Sequence, residues 1–497
     1  MVTVYNSVER VDAEPVNSKE KRVDYAARVK IFPKRVAGAF RSLKWWIMLI
    51  TLGIYYVTPW LRWDRGPHAP DQAVLVDLYN GRFYFFFIEI WPQELFYIAG
   101  LLIMAGVGLF LITSTVGRAW CGYTCPQTVW VDLFLVVERW VEGDRNARIK
   151  LDKGPWTVDK WRKRLLKHAI WIVIAVATGG AWIFYFADAP TLLRNFLTFE
   201  APLIAYTTVA ILTATTYVFA GFMREQVCTY MCPWPRIQGA MLDEDSLVVT
   251  YNGWRGENRG SQKDRRAEGE EKFGDCIDCN LCVAVCPQGI DIRDGQQLEC
   301  ITCALCIDAC DGVMEKIGKP KGLISYATLR TYNANTAGVP SPTTWRSFVR
   351  PRTYIYMGVW AMIGLVMLGF LLTRDRLDVN VLHDRNPVYV RLSDGSIRNG
   401  YTIKILNMKA EPRTITLSLS GITGATMAVV GQDAVAGNAI EVALKPDKLV
   451  ALKVYVSASP ANLSGERSDI EFKVSDKTDG EQSVYAAKFN GPAGEEK

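Results

Sequence analysis

Two short runs place paired thiols with the same spacing: CGYTCPQ at Cys121–Gln127 and CTYMCPW at Cys228–Trp234, both C-x-Y-x-C-P. This is not a common zinc or iron–sulfur spacing. Thiolate and thioether ligands select monovalent copper, whereas divalent copper suits nitrogen and oxygen. A partly dry site built from Cys121, Cys125, Cys228 and Cys232 would therefore draw a divalent-to-monovalent reduction forward. These four are candidate copper ligands and redox thiols, and Met231 could add a thioether. A third iron–sulfur cluster, structural zinc and buried unligated Cys remain open at the same residues. The Pro after each second Cys suits the first position of a helix. Cys125 should then cap PQTVWVDLFLVVERWVE, while PWPRIQ after Cys232 is the poorer helix start.

The other eight Cys form two equal runs, CIDCNLCVAVCP at Cys276–Pro287 and CITCALCIDACD at Cys300–Asp311. The spacing C-x-x-C-x-x-C-x-x-x-C is that of bacterial two-cluster ferredoxins, in which the fourth Cys of a run serves the other cluster. On that rule one 4Fe-4S cluster takes Cys276, Cys279, Cys282 and Cys310, and the second takes Cys300, Cys303, Cys306 and Cys286. Zinc is the competing reading, and two matched four-Cys runs weigh against it. Asp311 stands where Pro usually follows, which adds charge near the first cluster but removes no ligand. Two adjacent clusters make an electron wire without naming donor or acceptor.

These residues need elements to hold them, and the apolar residues are gathered into blocks. Five stretches are long enough for a membrane span of roughly 20 residues: near 45–62, 94–117, 168–187, 203–223 and 353–373. The polar N-terminal segment, 1–44, is unlike a cleavable signal. Its basic residues (Lys19, Lys21, Arg22, Arg28, Lys30, Lys34, Arg35, Arg41, Lys44) and those from Arg118 to Lys167 place both on the cytoplasmic side of a bacterial inner membrane. The C-terminal region is then periplasmic. All twelve Cys fall between Cys121 and Cys310, on the reducing side. Two spans followed by C-x-Y-x-C-P occur twice in the same orientation, a parallel repeat that would bring the thiol pairs together. A net charge of +6, placed beside apolar blocks, reads as topology, and no nucleic acid is expected as a partner.

The expected organisation is a multi-domain membrane protein. A five-span helical membrane domain has its first four spans within 45–225, and a cytoplasmic region at 226–352 carries a ferredoxin-like module at about 270–315. The fifth span at 353–373 leads to an immunoglobulin-like β-sandwich at 374–497, where alternating runs such as GYTIKILN and RTITLSLS are separated by turn signals. That tail has no Cys for a core disulfide and no catalytic constellation. Glu89 and Glu94 flank Pro92 near the second span, where a quinol site or a satisfied interfacial position would both fit. His68, His168 and His383 lie in different segments, and Asn258–Lys272 reads as a solvated linker.

The whole chain resembles the cytochrome c oxidase accessory proteins of the CcoG/FixG/RdxA type, on CGYTCPQ, CTYMCPW, both cluster runs and RLDVNVLHDRNP at the start of the tail. The resemblance implies an inner-membrane protein of cbb-type oxidase biogenesis that reduces divalent copper. It carries the family's C-x-x-x-C-P cysteines onto Cys121, Cys125, Cys228 and Cys232, and its ferredoxin ligands onto the eight Cys above. The partners it implies are copper ions, oxidase assembly factors or copper chaperones, an electron donor still to be named, and a second copy of the chain as a homodimer. The alternatives are a quinol-linked electron-transfer subunit feeding another enzyme, and a non-redox assembly scaffold.

Overall fold

The computed structural model describes residues 8, 10–17, 29–344, 349–409, 411–431, 437–446 and 448–492. Lys19, Lys21, Arg22 and Arg28 of the basic N-terminal segment lie outside the described residues. The chain forms two compact units, one comprising Met1–Leu61, Ala73–Tyr84 and Gln93–Leu365, the other Arg62–Gln72, Phe85–Pro92 and Val366–Lys497.

Among the described residues four helices are long and apolar enough to cross a membrane: Pro92–Val116, Val158–Ile183, Leu203–Met223 and Pro351–Thr373. The third expected span starts at Val158 rather than His168, because Thr157 caps it by accepting from the Lys160 amide (3.3 Å) and WRKRLLK is already helical. The first expected span is a helix, Ala39–Val57, continued by a 3₁₀ turn at Thr58–Trp60, but it is not among the four. Its opening turns carry Arg41 and Lys44, buried against Asp132 at 2.8 and 3.6 Å, which shortens its apolar run. Asp308 accepts from the Phe40 and Arg41 amides (3.1 and 2.7 Å), satisfying backbone donors that a helix start leaves free.

The thiol pairs follow two of these helices. After Val116 a short turn of helix, Ala119–Tyr123, leads to Cys125 and then to the helix Pro126–Glu142. Cys125 occupies the N-cap position in extended geometry, as expected, although its side chain makes no cap hydrogen bond. The second copy differs: the helix Leu203–Thr216 widens into π-helical turns at Tyr217–Met223 and again at Val227–Met231. Three residues separate Arg224 from Cys228 where two separate Arg118 from Cys121, and a π turn is the usual way to absorb one extra residue. PWPRIQ does start a helix, Trp234–Met241, because Pro233 takes the N-cap position and Pro235 falls in the first turn, where Pro is tolerated.

The cluster-type runs form the short helices Leu281–Val285 and Leu305–Lys316 beside the antiparallel pair Val248–Tyr251 and Ile324–Ala327. Ile277, Val283, Ile307, Met314, Leu323 and Ile324 are buried in one core there. The stretch read as a solvated linker is partly structured. Ser261 and Asp264 make a capping box for the helix Gln262–Glu268. Arg265 from that helix is buried and donates to the carbonyls of Gly260 (3.0 Å), Gly274 and Cys276 (2.8 Å), tying the approach to the first Cys run.

The second unit holds the expected sandwich. One antiparallel sheet runs Thr426–Val429, Leu449–Ala458, Ile397–Asn407, Leu377–His383, with Val390–Arg391 paired to Ile397–Asn407. The other runs Ala439–Leu444, Arg413–Ser420, Arg467–Asp476, Gln482–Asn490. Burial alternates along each strand, and Tyr401, Phe472, Ile403 and Leu417 are fully enclosed. His383 is committed to this unit through Asn399 (2.7 Å).

Candidate metal and electron-transfer site

The two Cys runs fold as near copies. Asp278 and Asn280 in the first, and Thr302 and Ala304 in the second, all have left-handed φ between 50° and 59°. Each such non-glycine residue costs about 1–3 kcal/mol, so four at matching positions mark loops shaped for a purpose. One small cavity is lined by Cys276, Cys279, Cys282 and Cys310, and another by Cys286, Cys300, Cys303 and Cys306 together with Cys282. Backbone amides face the sulfurs: Leu281 toward Cys279, Gln288 and Ile290 toward Cys286, Thr302 toward Cys300, and Ile324 toward Cys310. Burial pushes the thiols of Cys300 and Cys286 up, to about 11 and about 12. Thiolates at such buried positions need strongly positive partners, and four sulfurs around each cavity suit a cubane cluster. Arg293 lines the first cavity. Burial opposes its charge, but hydrogen bonds to Asp291 (2.6 Å) and the negative charge of Cys282, Asp291 and Cys276 hold its pKa above the ordinary value.

The structure brings both thiol pairs into one electrostatic neighbourhood. Burial pushes the Cys121 thiol up to about 11, with Arg118 opposing and Cys125 and Cys232 adding to the rise. Burial likewise pushes Cys228 up to about 12, with Cys125, Cys121 and Cys232 adding and Arg118 opposing. The Cys121 thiol donates to Gln238 Oε1 (3.1 Å), whose amide donates to Thr113 (3.3 Å). Gln127 donates to the carbonyls of Phe219 (2.9 Å) and Arg224 (3.2 Å), so the first motif is pinned to the π-helical exit of the second. Among the described residues no three His, Cys, Asp or Glu side chains close around a point that could hold a single metal ion. Met231 is exposed.

The first motif also lies directly on the second Cys run. Cys121 is packed with Ile301, Cys303, Leu305 and Ala309. A Cβ on Gly122 would stand 2.6 Å from the Ile301 carbonyl oxygen and 3.1 Å from Cys303 Cα, so only glycine permits this approach. Tyr123 donates to the Cys303 carbonyl (3.3 Å) and Tyr326 to that of Thr302 (2.7 Å). Arg118 faces both groups. It lowers the thiol pKa of Cys121, Cys228 and Cys300, donates to the Leu298 carbonyl, and keeps a buried Nε without a hydrogen-bond partner. Sequence reasoning missed Arg118, Gln238 and the contact made by Gly122 and Tyr123. The last two stand inside the quoted motif, and their invariance between the copies is only half present: Tyr recurs, Gly does not.

Behind the thiols the helix Pro126–Glu142 carries buried carboxylates. Glu138 pairs with Arg148 (2.5 Å) and Arg224 (2.6 Å), and Glu142 with Arg164 and Lys167 (both 3.0 Å). Burial works against ionised Glu138, yet Arg224 and Arg148 hold it down, to about 2. Glu94 is buried in the 3₁₀ turn Pro92–Glu94 that opens the span Pro92–Val116, and Glu89 lies before that span in the strand Ile88–Ile90.

A bundle of apolar helices, two Cys-lined cavities and a β-sandwich define a membrane-bound iron–sulfur electron-transfer protein. Family models agree segment by segment: a 4Fe-4S binding domain over residues 98–143, a 4Fe-4S dicluster domain over 223–329, and the IG-like fold at the C-terminus of FixG over 367–492. The chain is 60% identical to the nitrogen fixation protein FixG of Rhizobium meliloti over 98% of its own length and 97% of that protein. It is 54% identical to protein RdxB of Cereibacter sphaeroides (94% and 97% covered) and 51% identical to RdxA of the same organism (93% and 97%). The chain belongs to the FixG/RdxA family.

Proposed function

We propose that this protein is a metalloreductase that delivers single electrons to divalent copper at Cys121, Cys125, Cys228 and Cys232. The observation that carries the reading is the seating of Cys121 and Gly122 against Ile301 and Cys303, with Arg118 facing the sulfurs of both groups. The eight Cys would hold two clusters in the sets that line the two cavities. Such clusters, when bound, supply one-electron storage at low potential.

The substrate step is Cu²⁺ plus one electron giving Cu⁺. The thiols favour the product because soft sulfur ligands select the monovalent ion. Arg118 balances negative charge shared between the two groups, and the buried Cys121–Leu305 contact keeps water from the path between them. In the cell the monovalent ion would pass to assembly factors or chaperones of a cbb-type oxidase. The clusters would face the cytoplasm and the sandwich the periplasm.

A second reading keeps a place. The match over 98–143 to a 4Fe-4S binding domain includes Cys121 and Cys125. The four sulfurs would then hold a third cluster. The double variant Cys121→Ser, Cys125→Ser separates the two. Loss of copper reduction with iron content unchanged supports the copper site. Loss of about four irons per chain in step with it supports the third cluster.

A further inference from the structure

A cavity of about 690 Å³ in the first unit lies away from the thiols at the polar end of the helix Val158–Ile183. We propose that it binds the ring of a membrane quinol and is the entry point for electrons. This deepens the metalloreductase reading and rests on it for the electrons' destination.

Four aromatic side chains, Trp156, Trp161, Trp171 and Phe222, share the lining with His168 and a larger set of charged residues. Trp156, Trp161 and Leu165 are 63%, 63% and 72% exposed, so the outer wall is an apolar surface at the boundary where a bilayer would begin. The volume falls within the roughly 300–1,000 Å³ of small-molecule sites.

Two features select a quinol over a phospholipid headgroup. The cations that line it already have partners: Lys160 donates to the carbonyls of Asp152 (3.0 Å) and Gly154 (2.7 Å), Lys30 pairs with Asp152 (2.7 Å), and the others pair with carboxylates. Arg164 binds Glu142 and Asp152 (3.0 and 2.7 Å), Lys167 binds Glu142 (3.0 Å) and Arg224 binds Glu138 (2.6 Å). A phosphate would have to break those pairs. The imidazole of His168, by contrast, lines the cavity with Nδ1 on the Tyr217 hydroxyl (3.0 Å) and no hydrogen-bond partner for Nε2 among the described residues. Its ring is held in place, stacked on Phe222 at 5.9 Å and edge-on to Trp171 at 5.2 Å. An oriented imidazole beside a ring-sized slot can take a hydroxyl proton. Tyr217 and Phe222 both sit in the π-helical segment, a geometry frequent at functional sites.

The cavity also leads somewhere. Arg224 lines it and also lines the adjoining small cavity formed by Cys228, Ile301 and Leu305. The reaction balances as quinol plus two Cu²⁺ giving quinone, two Cu⁺ and two protons. His168 Nε2 accepts the first proton, and electrons leave singly toward the Cys-lined centres.

The experiment uses full-length protein in detergent, anaerobic, with duroquinol as sole reductant and the reduced iron–sulfur paramagnetic signal as readout. Reduction should be about a hundredfold slower in His168→Leu and clearly slowed in Trp161→Ala, an exposed position that should not disturb folding. Dithionite should reduce both variants as fully as wild type, which shows intact centres. Solvent extracts of purified wild type should contain quinone, and those of Trp161→Ala should be depleted of it. Equal duroquinol rates in all three proteins, or anionic phospholipid without quinone in the extract, would overturn the assignment. Dithionite-driven copper reduction is read on the same samples. Its absence would sink the copper reading and leave the cavity result standing.

Discussion

At the residue scale, Arg118 acts on thiols of both groups, opposing the burial-driven rise at Cys121, Cys228 and Cys300. The twelve Cys could be sorted by spacing alone, and the structure gathers the four in C-x-Y-x-C-P into one neighbourhood. The charges that serve them were not legible, since a buried Arg looks like any other basic residue until its partners fold around it. Glu138 gives a pH-dependent test. Its folded pKa lies near 2, below the ordinary carboxyl value, so its stabilisation is complete above about pH 4.5 and is lost as pH falls toward 2. Glu138→Gln leaves Arg148 and Arg224 buried without their carboxylate, which should cost about 3–5 kcal/mol and erase that acid limb in thermal melts. Arg293 supplies a second test. Its replacement by Met removes a cation beside Cys276 and Cys282, so one of two cluster potentials should fall while the other holds in a redox titration.

At the element scale, helices were legible in kind and less so in their limits. The strongly basic stretch Val158–Lys167 is helical before the continuous apolar run begins, and Arg41 and Lys44 give up membrane length to reach Asp132. The π turns before Cys228 could not be read from the second motif alone. They become intelligible once the one-residue difference from the first copy is set against the structure. Asn258–Lys272 read as solvent-facing because its composition is charged, whereas Arg265 turns inward to three carbonyls. The close seating of Gly122 against the second Cys run can be tested directly. Gly122→Ala puts a methyl 2.6 Å from the Ile301 carbonyl, which must shift the motif off the second Cys run. Electron transfer to copper should slow severalfold, with iron content unchanged, in stopped-flow measurements.

At the scale of the molecule, the two units suit separate tasks. The sandwich could be foreseen from alternation alone, since burial with a period of two is the whole basis of its core. Phe472 is fully buried, so Phe472→Ala should cost about 3–5 kcal/mol and lower the unfolding temperature of that unit while leaving the iron–sulfur spectrum unchanged. Topology depends on the helix Ala39–Val57. Trp46, Leu49, Ile50, Ile54 and Val57 on it are exposed, a surface suited to lipid. With that helix as a fifth span, a C-terminal reporter should respond on the membrane face opposite an N-terminal one. The measurement closest to the central claim is an anaerobic titration of fully reduced protein with divalent copper, followed by paramagnetic resonance. The account expects the divalent copper signal to vanish one electron at a time as the reduced-cluster signals disappear, and to persist when Cys121, Cys125, Cys228 and Cys232 are all Ser. Persistence of the copper signal in wild type, or equal loss in the four-Ser variant, would contradict it.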